Sequence, residues 1–187
     1  MDTSSSFTGQ FLIAMPGMGD PHFAQGVTLV CQHNAEGAIG LLVNRPSRFT
    51  LGEVLDQMDI ACERPEVASQ QVLQGGPVQP ERGFVLHSGK PEWDASYPVD
   101  EHWSVTTSRD ILAAMAEGKG PEHAVVALGY AGWEADQLEQ ELRDNAWLTT
   151  PADNRIVFHT PLEQRWSAAA NLVGIDVAQL TGYAGHA

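Results

Sequence analysis

Short runs of apolar residues, broken by glycine and proline, fill the first half of the chain. They predict β-strands at 10–14, 27–33, 38–43, 72–74, 83–87 and 103–106. The four residues 34–37 between the second and third runs supply Asn and Gly, which favour a tight hairpin turn. Segment 15–21, with two prolines and two glycines, is expected to be irregular, as is the loop 90–100.

Helix signals begin at Thr50, which stands three residues before Glu53 with the spacing of a capping box. This pair predicts a short helix that ends near Met58. Further helices are predicted at 109–117 after Ser108 as N-cap, at 134–145, at 161–172 after Thr160 as N-cap, and from Asp176 onward.

The second half of the chain alternates between the two patterns. A buried strand is expected at 124–129, leading through a turn at 130–133 into the helix 134–145, and another strand at 156–159. Strands cluster early and helices late, which favours an α+β fold with a mixed sheet over a doubly wound α/β fold. The pattern predicts one domain over 1–187, with residues 1–8 as a disordered tail.

The net charge of the chain excludes more classes of function than its hydropathy does. The chain has 10 basic and 24 acidic residues, a net charge of −14, and a hydrophobic fraction of 43% that suffices for a core. An acidic surface repels phosphate backbones, so direct nucleic-acid binding is disfavoured, whereas a basic protein partner suits it. No apolar run is long enough for a membrane helix. A cytoplasmic location with no membrane association is therefore expected.

Motifs for metals and cofactors are missing from the sequence. It contains no His-Glu-x-x-His and no Cys-x-x-Cys, and its Gly-rich segments lack the Lys-Ser/Thr of a phosphate loop. Cys31 with His33, and Asp20 with His22, could each chelate a metal. A packed cysteine beside a hydrogen-bonded histidine, and an aspartate capping a turn, are the ordinary interpretations. No metal and no cofactor are predicted.

Several residues nevertheless carry candidate chemistry. His33 and His87 lie at the ends of apolar strands, where either could act with Asp20 in acid–base catalysis. Arg45 and Arg48 form a basic island that could grip an anion. Pairing with acidic residues, which would fix the loop, is the favoured alternative for these two arginines.

The order of motifs along the chain resembles the YqgE/AlgH family of bacterial proteins. The matching segments are 11–18, 20–21, 23, 33–34, 37–38, 40–41, 44–46 (Asn-Arg-Pro), 75–78 (Gly-Gly-Pro-Val), 82–87 (Arg-Gly-Phe-Val-Leu-His), 128–133 (Leu-Gly-Tyr-Ala-Gly-Trp), 137–139, 145, 147–148, 165–166 and 174–176. Two positions depart from the family pattern: Gly26 replaces the usual Ser, and Asp136 replaces a common Gly.

The resemblance implies a compact α+β fold with a branched or partly closed mixed sheet flanked by helices. It also implies the family's label of transcriptional regulator, which is tied to alginate production in pseudomonads. No residue-by-residue mechanism comes with that label.

The sequence therefore predicts a non-enzymatic regulatory or binding protein that acts through a protein partner or a small-molecule ligand. The candidate binding residues are Asp20, His33, Asn44, Arg45, Arg48, Gly75, Gly76 and His87. One alternative is an uncharacterised enzyme with a His/Asp site at strand ends. The other is a direct DNA-binding regulator, which the net charge disfavours.

Overall fold

Within residues 6–15 and 24–174, which the computed structural model describes, the chain forms ten β-strands and six α-helices. The strands are β1 Gln10–Ala14, β2 Val27–Asn34, β3 Gly37–Leu42, β4 Pro46–Thr50, β5 Gln71–Gln74, β6 Val78–Ser88, β7 Ser96–Pro98, β8 Trp103–Thr106, β9 Ala124–Glu134 and β10 Trp147–Pro151. The helices are α1 Leu51–Gln57, α2 Pro65–Ala68, α3 Arg109–Ala116, α4 Gln137–Arg143, α5 Asn154–His159 and α6 Arg165–Leu172, with a 3-10 turn at Leu162–Gln164 before α6.

The central feature of the sheet is β9, which has three neighbours. The main path runs β10-β1-β2-β3-β9-β6-β8-β7, and β4 and β5 branch from it. β6 follows one edge of β9, while β5, in parallel, and then β3, antiparallel, share the other edge. The sheet curls into a half-barrel. The predicted α+β fold with a mixed, branched and partly closed sheet is confirmed.

Three apolar clusters hold the helices on this sheet. The first packs α5 and α6 against β1, β2 and β8, and the second packs α1 and α3 against β5, β6 and β9. The third lies under α4, where the indole N–H groups of Trp133 and Trp147 both donate to Oε1 of Glu141 at 2.9 Å. That shared acceptor fixes α4 to β9 and β10.

Local sequence chemistry explains the elements that were predicted correctly. Thr50 and Glu53 form the predicted capping box, with 2.9 Å from the Thr50 amide to Oε1 of Glu53. The hairpin is confirmed, with Asn34 and Gly37 paired around a two-residue turn. Ser108 occupies the N-cap position of α3, but its hydroxyl donates to Asp110 instead of bonding to the helix backbone.

Several parts of the prediction differ from the structure. Residues 156–159 lie in helix α5, because Asp153 caps that helix by accepting from the Arg155 amide. The expected turn at 130–133 is a continuation of β9, and α4 starts only at Gln137. The loop 90–100 contains β7, whereas the expected helix 161–172 is present, with a 3-10 first turn at Leu162–Gln164 that continues as α6 to Leu172. β4, α2 and β10 were missed, and the helix from Asp176 lies outside the described residues.

Candidate functional site

The two histidines proposed for catalysis lie at opposite ends of β9. His33 pairs with Ala38, which pairs with Trp133 near the end of β9. His87 pairs with Ala124, the first residue of the same strand. These two rows are nine residue steps apart (124 to 133), which corresponds to roughly 30 Å along β9. The structure does not bring the two imidazoles together.

His33 uses both ring nitrogens inside the protein. Nδ1 accepts a hydrogen bond from the Phe7 amide at 2.9 Å, and Nε2 lies 2.9 Å from Oε2 of Glu139. Because Nδ1 accepts, the ring proton is on Nε2 and is donated to the carboxylate. The side chain is 3% exposed. His33 therefore joins the N-terminal segment to β2 and α4.

His87 is fully buried, and both of its ring nitrogens are also hydrogen-bonded within the protein. Nδ1 lies 2.9 Å from the Ser88 carbonyl oxygen, which can only accept, so Nδ1 carries the proton. Nε2 then accepts from the Thr106 hydroxyl at 2.7 Å, and that oxygen accepts from Ser96 at 2.6 Å. Burial lowers the pKa of His87, against a smaller opposing effect of its bond to Ser88. This chain of bonds ties β6 to β8 and β7.

Asn44 and Arg45 form hydrogen bonds with the backbone of residues 24–27, the segment that leads into β2. Oδ1 of Asn44 accepts from the Val27 amide, and its Nδ2 donates to the Gln25 carbonyl, both at 2.9 Å. Nη2 of Arg45 donates to the Ala24 carbonyl at 2.7 Å. Through these bonds Asn44 and Arg45 hold the loop by its backbone groups, whereas the predicted structural role for Arg45 and Arg48 was pairing with acidic residues. Arg48 is exposed on β4, and Asp20 lies outside the described residues.

Gly75 and Gly76 pack against the backbone of β9 instead of surrounding an open space. A Cβ at Gly75 would collide with the Gly129 carbonyl oxygen, and one at Gly76 with the Tyr130 carbonyl group. The Gly75 amide donates to Leu128, and its carbonyl accepts from Leu42, each at 2.8 Å. The glycines are thus required at the point on the edge of β9 where the pairing with β5 ends and the pairing with β3 begins.

An open apolar cleft lies between α1 and α3, over β6 and β9. Its volume is about 500 Å³. Its apolar wall includes Phe49, Val54, Met58, Leu112 and Leu128. Phe49 is 37% exposed, and Val54, Met58 and Leu128 are only partly buried, so apolar surface faces water here. We call this site the α1–α3 cleft.

Polar groups also line the α1–α3 cleft. Nη2 of Arg109 donates to the carbonyl of Met58 at 2.9 Å and less closely to that of Asp59 at 3.4 Å. These bonds tie the start of α3 to the end of α1, where a positive charge suits the helix dipole. Thr107 and Glu81 also line the cleft. The arrangement can hold an apolar body and orient a polar end.

Sequence reasoning missed the α1–α3 cleft because no local motif encodes it. Its walls come from β4, α1, α3, β6 and β9, and β4 itself was not predicted. One usable signal was Phe49, an aromatic residue immediately before the capping box at Thr50.

No three His, Cys, Asp or Glu side chains gather to hold a metal ion within 6–15 and 24–174. None of the helices described is long and apolar enough to cross a membrane.

Fold and cleft together define a single-domain α+β protein with a branched half-barrel sheet and an open apolar site. The chain belongs to the AlgH-like family, whose sequence profile matches residues 11–178. The family predicted from the motifs is confirmed.

Relatives match over nearly their full length. A UPF0301 protein of Thioalkalivibrio sulfidiphilus is 56% identical over 187 residues, covering 100% of both chains. One of Stenotrophomonas maltophilia is 54% identical over 184 residues, covering 98% of each chain.

Two solved structures share the fold. The solution structure of the AlgH protein from Pseudomonas aeruginosa has a TM-score of 0.81 at 47% identity, covering 97% of this chain and 96% of that one. A crystal structure of a Corynebacterium diphtheriae protein has a TM-score of 0.70 at 20% identity, covering 91% and 89%, and shows the fold alone.

Proposed function

We propose that this chain is a non-enzymatic binding protein that takes an amphipathic small molecule in the α1–α3 cleft, and that it regulates by changing partner binding when the cleft is filled. The observation that carries the proposal is the open apolar wall of the cleft. Ligand sites of small molecules typically measure about 300–1,000 Å³ and are lined by apolar groups with a few polar ones. The α1–α3 cleft, at about 500 Å³, has both features.

Covering the wall would supply the binding energy. Removing apolar surface from water is worth about 25 cal/mol per Å². Phe49 and Met58 offer such surface at the cleft, and Thr107 and Arg109 are among its polar lining residues. A ligand with an apolar body and a hydrogen-bonding end fits this distribution.

A non-enzymatic role agrees with the state of the buried histidines. His33 and His87 would be the natural acid–base groups, yet each uses both ring nitrogens internally. They lie roughly 30 Å apart along β9. Acid–base catalysis needs groups within hydrogen-bond reach of one substrate.

Gly83 offers a way to block the cleft without disturbing the fold. It lines the cleft, and a Cβ added there would meet no atom within 4 Å. It lies two residues before Val85 on β6 and so shares the strand face that packs toward α1 and α3. Gly83→Phe should fill the cleft. Gly132→Phe is the matched control, because Gly132 is exposed on β9 away from the cleft, where a Cβ makes only ordinary contact with the Tyr130 ring.

The test is a thermal-shift screen of the protein against nucleotides, sugars and common metabolites, including amphipathic ones. A ligand at 100 times its Kd adds about 2.7 kcal/mol, which is worth about 5–10 °C in a chain of this size. We expect amphipathic hits that disappear in Gly83→Phe and persist in Gly132→Phe. Hits that persist in both variants, or a screen without hits, would contradict a ligand in the cleft. Chemical turnover of a hit would contradict a non-enzymatic role.

A further inference from the structure

Arg165 is a buried cation without a carboxylate partner among the described residues. Its residue surface is 8% exposed. Nε donates to the Thr160 carbonyl at 2.9 Å, and Nη1 donates to the Val43 carbonyl at 2.6 Å. Burying a charge is costly unless opposite charge or good hydrogen bonds compensate for it. The two carbonyl dipoles compensate only part of the positive charge of the guanidinium.

Arg165 lies at the wall of a cavity. A cavity of about 460 Å³ lies between α6, α3 and the start of β9, and Arg165 lines it. Nη2 makes no hydrogen bond in the part of the chain described, yet it is not closed off from solvent. Burial lowers the pKa of Arg165, against a smaller opposing effect of Glu163. We call this space the Arg165 cavity; it shares no lining residue with the α1–α3 cleft.

His123 forms a second polar wall of the Arg165 cavity. Its ring stacks on Phe158, with centroids 5.6 Å apart, and meets His159 edge-on at 4.6 Å. Its backbone is fixed as well, since the amide donates to Oγ of Ser88 at 3.1 Å. The imidazole is therefore held in place at the cavity wall, where it can donate a hydrogen bond.

Negative charge at this cavity is slight although the chain carries −14 overall. Glu122 is the one carboxylate among the described lining residues, and its side chain is 84% exposed. Its Oε2 lies 3.8 Å from Nε2 of His123, beyond hydrogen-bond distance. Glu163 acts on Arg165 electrostatically, but no carboxylate of the described residues accepts a hydrogen bond from its guanidinium, which leaves Nη2 able to donate to a ligand.

We propose that Arg165 and His123 form a binding site for the oxyanion group, phosphate or carboxylate, of a small molecule in the Arg165 cavity. An oxyanion accepts charge-assisted hydrogen bonds from a guanidinium, and these are stronger than neutral ones. It would supply the counter-charge that the two carbonyls do not. Phe158 and Leu162 line the same cavity and would contact the body of the ligand. This site goes beyond the proposed function and does not depend on it.

The direct test uses the unmodified protein. Inorganic phosphate and malonate are titrated separately at constant ionic strength, and the NMR signals of the His123 ring and the Arg165 Nε–H group are followed. Both signals should shift with one saturable binding curve. Tighter binding of phosphate identifies a phosphoryl ligand, and tighter binding of malonate identifies a carboxylate ligand. If neither anion gives a saturable shift, the proposal is overturned.

Charge-matched variants locate the effect. Arg165→Gln should weaken anion binding by about tenfold or more, since a hydrogen bond to a charged group is lost. Arg143→Gln removes the same charge from an exposed site on α4, where the guanidinium bonds only to Gln140 among the described residues, and should leave affinity unchanged. Equal affinity in Arg165→Gln and the unmodified protein would overturn the proposal.

A second variant covers the case in which Arg165→Gln fails to fold. Gln70 is exposed and lines the cavity, so Gln70→Trp should obstruct it while the core stays intact. We expect a loss of anion binding of the same size as in Arg165→Gln. Unchanged binding in a folded Gln70→Trp protein would place the anion elsewhere and reject the site.

Discussion

His33 and Glu139, 106 residues apart in sequence, meet with 2.9 Å between Nε2 and Oε2. The other ring nitrogen of His33 accepts from the Phe7 amide, and the Phe7 ring lies 5.4 Å from the imidazole. One side chain thus joins the segment before β1, the end of β2 and helix α4. This accounts for a histidine at a strand end without assigning it any catalytic role.

Removing the His33 ring should destabilise the fold more than removing the charge of Glu139. His33→Ala leaves the Phe7 amide and the Glu139 carboxylate without their partner, at a cost of about 2–3 kcal/mol. Glu139→Gln keeps an acceptor at the same place and should cost about 1 kcal/mol or less. Urea unfolding followed by circular dichroism measures both. Equal losses would show that the hydrogen bond to Glu139, and not the ring's bond to Phe7, dominates.

Glu139 should also contribute to acid sensitivity. Partial burial raises the pKa of its carboxyl, but a bond to its own backbone amide and its contact with His33 outweigh this, so the pKa is lowered. A carboxyl whose pKa is lowered on folding stabilises the protein above its unfolded pKa, about 4.3. That contribution is lost as pH falls through the lower folded value.

The expected result is a shallower loss of stability on acidification in Glu139→Gln than in the unmodified protein. Unfolding free energies measured by urea denaturation from about pH 6 down to about pH 3 would give the two slopes. Glu134→Gln, an exposed change at the end of β9, is the control and should keep the original slope. Identical slopes in all three proteins would refute the assignment.

Local chemistry determined how well the fold could be predicted from the sequence. The capping box at Thr50 and the hairpin turn after Asn34 were found because their signals lie within four residues. Residues 156–159 were misassigned because a short apolar run fits a strand or a helix equally. The missed signal was Asp153, the N-cap of α5.

Long-range contacts explain the remaining errors. The sequence predicts that the strand ends at Gly129, yet β9 continues through it, because its φ of 77° and its missing Cβ let the Gly76 carbonyl approach. No sequence pattern near residue 129 predicts that contact with Gly76. The same holds for the α1–α3 cleft and for Arg165, whose backbone partner Val43 is 122 residues away. The side chains of candidate sites were visible in the sequence, but their partners were not.

The two cysteines should differ sharply in reactivity. Cys31 is buried, and burial raises the pKa of its thiol to about 12, whereas Cys62 is partly exposed. Because the thiolate is the nucleophile, a disulfide reagent at about pH 8 should modify one thiol per folded chain and both after denaturation. Cys62→Ser should abolish the reaction of the folded protein. Rapid modification of two thiols would contradict the burial of Cys31.

The same shift in Cys31 has a consequence at alkaline pH. A thiol whose pKa is raised on folding contributes stability that is fully present below its unfolded pKa, about 8.5. That stability is lost as pH rises toward about 12, the folded value. Cys31→Ala should therefore lose stability less steeply above about pH 9 than the unmodified protein, as measured by urea unfolding.

We expect the Gly-rich loop after β5 to have a structural role, namely close packing against β9. Substitutions at Gly76 and Gly83, two glycines seven residues apart, test this role. Gly76→Ala places a methyl group against the Tyr130 carbonyl, at a φ of 158°, so β6 and β9 must separate locally. We expect a loss of about 3 kcal/mol or more, typical of steric conflict with a backbone that cannot move away. Gly83→Ala, where a Cβ meets nothing within 4 Å, should be neutral or stabilise by up to about 1 kcal/mol. Urea unfolding of the two variants gives the comparison. If Gly76→Ala were as stable as Gly83→Ala, the close approach to β9 would not be what requires glycine at position 76, and a role for this loop in ligand binding would have to be considered again.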